Sequence, residues 1–393
     1  VLKKLFAATV CCLAVIFIIA AVLINHSDRP NTAIDVKNKA KFNDSWPVIN
    51  GNLSRTGSTR NGIELPLVKK WSFKTGGIIW ASPVVSNGIL FIASQDHYLY
   101  ALDARNGKLR WKYFVKTENP DFPLFRATPA VSGGNLYFGT GNGNLICIDA
   151  KSGVKKWLRS FDGYIIDSSP IVDDGLVFVG SLDSTIRAID AVSGKTRWSF
   201  RAGAEGDIST PTISQGTICF TSNDSIYALD VKTGKKKWSY KTKNSIKAGP
   251  SIAGGTVFAG SYDDCMYALD VNTGKKIWAF KAANNIDSTP AVFDGAVYFG
   301  SYDGNLYAVD AKSGRERWLF NTGAIIYASP AVAGDTVYIG SRNGKIYAVD
   351  TKSGKRKWSF KTKDIVYSTV AVANGYIYCA SKDRNVYAFS NQH

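Results

Sequence analysis

Apolar and polar residues alternate with a period of two along most of this chain, and an apolar run long enough for a helix occurs only in the first thirty residues. Residues 288–320 show the unit. Ser288, Thr289 and Pro290 lead into Ala291, Val292 and Phe293; Asp294 and Gly295 make a turn; Ala296 to Phe299 follow. Asp303 and Gly304 turn again, Leu306 to Val309 run up to Asp310, and Trp318, Leu319 and Phe320 close the unit. Asp-Gly and Asn-Gly tolerate the positive φ of tight hairpins, and Asn142-Gly143 and Asn343-Gly344 repeat the signal. Each unit predicts four short antiparallel strands of about five residues.

One phrase recurs seven times: a small residue, x, Asp, three residues, Gly, three residues, Trp. Its copies run Ala101/Asp103/Gly107/Trp111, Cys147/Asp149/Gly153/Trp157, Ala188/Asp190/Gly194/Trp198, Ala228/Asp230/Gly234/Trp238, Ala268/Asp270/Gly274/Trp278, Ala308/Asp310/Gly314/Trp318 and Ala348/Asp350/Gly354/Trp358. The last five tryptophans stand forty residues apart. Four strands in that period make a propeller blade, which cannot bury its faces alone and must stack on neighbours. Inner strands begin near Ser82, Thr128, Ser169, Thr210, Gly249, Thr289, Ser329 and Thr369, which gives eight blades. The eighth phrase stops at Ser390, and an extra tryptophan, Trp71, precedes the first inner strand. The expected fold is therefore all-β, an eight-bladed propeller whose last blade is completed by the strand of Trp71, so that no blade edge stays open. Each of Trp71, Trp111, Trp157, Trp198, Trp238, Trp278, Trp318 and Trp358 is expected to dock over the small residue of an adjacent blade, burying ~150–250 Å².

The phrase A-x-D-x-x-[TS]-G-x-x-x-W resembles the repeat of quinoprotein-type, or PQQ-like, propellers over residues 46–389, and the opening W-P-V-I-N-G-N-L-S-R-T-G at 46–57 is similar to the lead-in of that family. The family includes pyrroloquinoline-quinone dehydrogenases and BamB-type outer-membrane assembly factors. Overall length, eight blades and one apolar N-terminal segment look most like the BamB type. The resemblance to that type implies a non-catalytic scaffold for envelope proteins or unfolded client chains, working as a single copy within a complex. The other branch implies a dehydrogenase with the quinone and calcium as cofactors, and the sensory ectodomain of a cell-envelope system is a third reading.

Residues 5–24 carry no charge and follow Lys3 and Lys4, which suits a membrane anchor with the propeller outside the cytoplasm, or a signal segment. Domain organisation is thus anchor or signal at 1–24, polar linker at 25–45 and propeller at 46–393. The formal charge of +17 concentrates beside the tryptophans, as at Lys235-Lys236-Lys237 and Lys355-Arg356-Lys357, making a basic belt on exposed outer strands. That belt suits an anionic envelope surface or simply discourages edge association. A translocated domain without an RNA motif excludes routine nucleic-acid work.

Catalytic chemistry is thin. Cys11-Cys12, in the apolar segment, is the only cysteine pair; Cys147, Cys219, Cys265 and Cys379 sit on separate predicted strands, where buried free thiols are expected. His97 falls in a turn and reads as a solvent-exposed residue. No catalytic residue, metal ligand set or phosphate loop is assigned. Function is sought instead where the blades disagree. The residue before each inner-strand start varies: Trp80, Arg126, Asp167, Ile208, Lys247, Asp287, Tyr327 and Tyr367. These are expected to ring one mouth of the central channel, where aromatics supply area and charges supply orientation for a peptide or small polar ligand. The Trp111-to-Trp157 interval is six residues long of the norm, and the excess carries Phe122, Leu124 and Phe125, a candidate partner loop.

Overall fold

The computed structural model describes residues 45–117, 125–161, 168–203 and 206–391. The expected anchor, residues 25–44 of the linker, Asp167, Phe122 and Leu124 lie outside the described residues. Among those described, no helix is long and apolar enough to cross a membrane.

Eight sheets of four antiparallel strands follow one another along the chain, and the seventh gains a fifth strand, Ser58–Thr59, paired parallel to Ala331–Ala333. Blade six serves as the pattern, with strands Ala291–Phe293, Ala296–Gly300, Asn305–Asp310 and Glu316–Asn321. Ala291 pairs with Tyr298, Tyr298 with Ala308, and Ala308 with Trp318. The row alternates small and large side chains, so each ring fills the space left by its alanine neighbours. In the last blade, Val68–Lys74 pairs with Asn385–Ser390, placing Trp71 opposite Ala388.

The docking of the tryptophans corrects one expectation. The small residue of the phrase lies beneath the tryptophan of its own blade, not of the next. What the next blade offers is its glycine: a Cβ on Gly354 would stand 2.8 Å from the Trp318 ring, and Gly354 has a φ of 68°. Trp318 Nε1 donates to Thr351 O at 2.9 Å. Trp71, at the other end of the chain, donates to Ala104 O at 3.1 Å in the same way. The physical reason is that a flat indole lies against backbone only where no side chain intervenes.

The aspartate of each phrase winds the hairpin that carries this glycine. Asp310 Oδ1 accepts from the Ser313 N–H and Oγ–H, both at 2.9 Å, and Oδ2 meets Arg317 at 2.7 Å. The Arg317 guanidinium and these hydrogen bonds hold the Asp310 carboxyl well below the usual range. Lys156 and Arg197 close on Asp149 and Asp190 likewise, so part of the basic belt is neutralised within its own blade.

The inner-strand signature also has a mechanism. The first hydroxyl stitches its own blade: Gly300 N–H donates to Ser288 Oγ at 2.8 Å. The second links blades: Ser82, Thr128 and Ser169 N–H donate to Thr128 Oγ1, Ser169 Oγ and Thr210 Oγ1, each at 2.9 Å. Thr289 N–H reaches Ser329 Oγ at 3.0 Å, and Thr369 N–H reaches Ser82 Oγ at 2.9 Å, carrying the girdle across the chain ends. Blade five departs from it, with Gly249 where the others have Ser or Thr.

The lead-in segment runs past six inner strands. Carbonyls of Trp46, Pro47, Leu53, Ser54, Thr56 and Gly57 accept the N–H groups of Val85, Val131, Ile213, Ile252, Val292 and Val332 at 2.7–2.9 Å. Each acceptor therefore serves the middle residue of an inner strand that its own sheet leaves with an unused donor.

His97 is a further correction: it is buried, with a φ of 69° and its ring 6.3 Å from Phe114. Cys147, Cys219, Cys265 and Cys379 are free thiols; Cys265 is only half-buried and the other three are buried. Burial pushes the Cys147 thiol up to about 11, which removes it from thiolate chemistry at neutral pH.

Candidate functional site

The channel mouth is built from two variable columns of the repeat. The first is the one sought in the sequence, just before each inner strand. Seven of its eight residues, Trp80, Arg126, Ile208, Lys247, Asp287, Tyr327 and Tyr367, line a single cavity of about 560 Å³. Ile208 differs from the others in that its side chain is buried. Its side chain lies over Gly180, as Ile286 lies over Gly260 and Ile326 over Gly300. The connection into blade four is shifted by one residue, so the isoleucine takes the core seat and Asp207 takes the mouth position.

Phe125, expected in a partner loop, is seated in the core instead. It is fully buried, 6.0 Å from Phe138, in the seat that Ile286 fills elsewhere, and is not a partner contact. Its Cα neighbour Arg126 is the exposed one, with the guanidinium carbon 5.7 Å over the Trp80 ring.

The second column, eight residues before each phrase aspartate, was missed. It supplies Tyr262, Tyr302 and Lys382 to the same rim. Together the columns make an aromatic crescent. Ring centroids step from Tyr262 to Tyr302 at 5.7 Å, to Tyr327 at 4.9 Å, to Tyr367 at 4.7 Å and to Trp80 at 4.9 Å. Lys382 Nζ lies 4.2 Å from the Trp80 centroid and 5.2 Å from that of Tyr367, so the crescent ends under a cation. At the other end Asp287 Oδ2 accepts from Tyr262 OH at 2.8 Å and Tyr302 OH at 2.9 Å. Burial, with the Asp287 charge beside them, raises both phenols far above the ordinary range, so they remain donors.

The floor comes from the lead-in. Arg55 is fully buried and donates through Nη1 to Thr210 O at 2.8 Å and through Nη2 to Thr289 Oγ1 at 2.9 Å. Between those two blades lies Gly249, where a Cβ would stand 1.9 Å from Nη1. The missing hydroxyl of blade five is thus the opening through which the guanidinium enters. Burial lowers its pKa to about 9, which leaves it charged at neutral pH. A larger cleft of about 990 Å³, bordered by Arg60, Phe258, Ile277 and Asp294, lies among strands and turns of blades five and six and gathers neither variable column.

Asp287 Oδ2, the carboxylate oxygen beside the crescent, already holds two phenolic hydrogens. Calcium takes six to eight oxygens with several carboxylates, yet among the described residues no three of His, Cys, Asp and Glu converge. A buried guanidinium on the floor also repels a divalent cation. Among the described residues, then, no cluster of calcium ligands is gathered at the mouth.

Comparison with known proteins agrees with this architecture. Residues 54–126, 222–324 and 306–393 match the family described as outer membrane protein assembly factor BamB. Among solved structures, BamB from Moraxella catarrhalis is 19% identical with a TM-score of 0.68, covering 83% of this chain and 100% of that one. A europium-containing methanol dehydrogenase is 15% identical with a TM-score of 0.77, covering 86% and 89%. The quinohemoprotein alcohol dehydrogenase from Comamonas testosteroni is 17% identical with a TM-score of 0.73, covering 89% and 81%. At these identities the solved structures share the fold alone. No curated protein sequence matches. With its repeats matched over most of the propeller, the chain belongs to the family of outer membrane protein assembly factor BamB.

Proposed function

We propose that this chain is a non-catalytic scaffold of the cell envelope, tethered to a membrane by its N-terminal apolar segment, with partner proteins or unfolded client chains seated in the channel mouth. The observation that carries the reading is the convergence of the variable positions. Residues that the fold leaves free to differ between blades meet as a crescent of aromatics flanked by charges of both signs, around one cavity. Aromatic faces with charged ends are the usual makeup of a protein-binding hot spot. Family membership supports a role like that of BamB-type assembly factors.

The test is affinity capture from solubilised envelope membranes with mass spectrometry, comparing the native chain with Tyr327→Ala/Tyr367→Ala. A partner should be retained by the native chain and weakened at least tenfold by the double variant. Equal capture by both would remove the mouth from the account. Stoichiometric uptake of pyrroloquinoline quinone with calcium, followed by dye-linked alcohol oxidation, would replace the scaffold reading with the dehydrogenase one.

A further inference from the structure

Arg55 stands out in the mouth. It is fully buried, its only hydrogen-bond partners among the described residues are the neutral Thr210 carbonyl and Thr289 hydroxyl, and its Nε has no partner at all. No carboxylate pairs with it among those residues. Unpaired buried charge is unfavourable, and the glycine at 249 makes room for it: any Cβ there would exclude the guanidinium, standing 1.9 Å from Nη1, and would also meet the Thr210 carbonyl at 2.2 Å. The cation has been let in, and Lys247, two residues before Gly249, adds a second one on the cavity wall.

We propose that the floor of the mouth is an anion seat, in which Arg55 and Lys247 take a carboxylate whose apolar, ring-bearing body lies along Trp80, Tyr367 and Tyr327. This deepens the scaffold reading and rests on it. The ligand chemistry is one: a carboxylate joined to a flat apolar group. It has two sources, the C-terminal end of a protein chain or a free aromatic acid. The crescent orients the rings, because stacking and edge contacts accept a flat group from several directions. The buried charge selects the acid, because Coulomb attraction is far less screened there than at the rim.

Calorimetric titration of the native protein separates the possibilities. The probes are an N-acetylated tripeptide ending in tyrosine with a free carboxylate, the same peptide as its C-terminal amide, and phenylpropionate. The free-acid peptide should bind at least tenfold more tightly than the amide. Phenylpropionate as tight as the acid peptide identifies a free acid as the source; much weaker binding identifies a chain end. Arg55→Gln should abolish the preference for acid over amide, and Arg55→Lys should retain part of it. Should Arg55→Gln fail to fold, Lys247→Gln is expected to narrow the preference, and the acid–amide pair on the native protein decides in any case. Trp80→Ala should weaken acid and amide alike. Equal binding of acid and amide would overturn the seat while leaving the mouth as a partner site. Binding of no probe would also overturn it, and the capture experiment would then judge the scaffold reading by itself.

Discussion

Gly249 and Arg55 form a lock whose parts are 194 positions apart in the chain. A serine at 249 would place its Cβ on the guanidinium, so Gly249→Ser alone should destabilise the protein by roughly 1–3 kcal/mol, the range for overpacking. Combined with Arg55→Ala, the part of the loss due to the guanidinium should return while the part due to the Thr210 carbonyl, 2.2 Å from the same Cβ, remains, and a double-mutant cycle by urea unfolding reads the coupling. Additive losses would show that the two residues do not share the space described. Gly314 offers a second close approach, with a φ of 70° and a Cβ position 2.7 Å from Trp278. Gly314→Ala should therefore lower the urea midpoint, whereas the same change at Gly323, where nothing lies within 4 Å, should act only through its φ of 79°. The aspartates add a pH signature. Hydrogen bonds from Ser152 and the charge of Lys156 lower the Asp149 carboxyl to about 2, against an ordinary value of about 3.9. A depressed acid contributes stability that is complete above its unfolded value and lost as pH falls through the folded one. Thermal midpoints should thus hold down to about pH 4 and fall between about 4 and 2; Asp149→Asn should remove part of that fall.

At the scale of the element, the four-stranded blade was plainly legible, because period-two runs cut by Asp-Gly turns leave one choice of strand pattern. The Ser-Thr-Pro starts were legible as markers, though not as the girdle that they build. The tryptophans were read one step wrongly. A sequence shows that Ala308 and Trp318 recur together, but not that they are cross-strand partners within one blade while Gly354 receives the ring. Ile208 was misplaced because the variable column was counted rigidly back from the inner strand, whereas the connection into blade four is shifted by one residue. Phe125 was misplaced because the long Trp111-to-Trp157 interval suggests apolar residues turned outward, although Phe125 stands in sequence just where Ile286 does. Arg55 was invisible for a different reason. The lead-in occurs once, and its bonds to Thr210 and Thr289 span 155 and 234 positions, so no repeat comparison reaches it. Gly249 was the available hint, the one girdle position without a hydroxyl. Truncating one docking ring, as in Trp278→Ala, should cost ~3–5 kcal/mol, the usual loss for a large buried aromatic. A loss below 1 kcal/mol would mean that the blades cohere by other contacts.

For the whole molecule, two features hold the chain ends: the pairing of Val68–Lys74 with Asn385–Ser390, and the hydrogen bond from Thr369 to Ser82. Deleting residues through Phe73 should leave the strand Asn385–Ser390 with an open edge and produce both a lower thermal midpoint and self-association, seen by light scattering. The candidate site was legible only as a place. The variable column pointed to the mouth; the second column, the crescent and the charged floor required coordinates, because they join side chains from different blades. The central claim is that partners seat in this mouth. It is tested most directly by a photo-crosslinking amino acid placed at Tyr327, in the crescent, and separately at Val192, which is 86% exposed on an outer hairpin. Irradiation in intact envelopes should give a discrete crosslinked partner from position 327 and none from 192; a partner caught only from 192 would contradict the account.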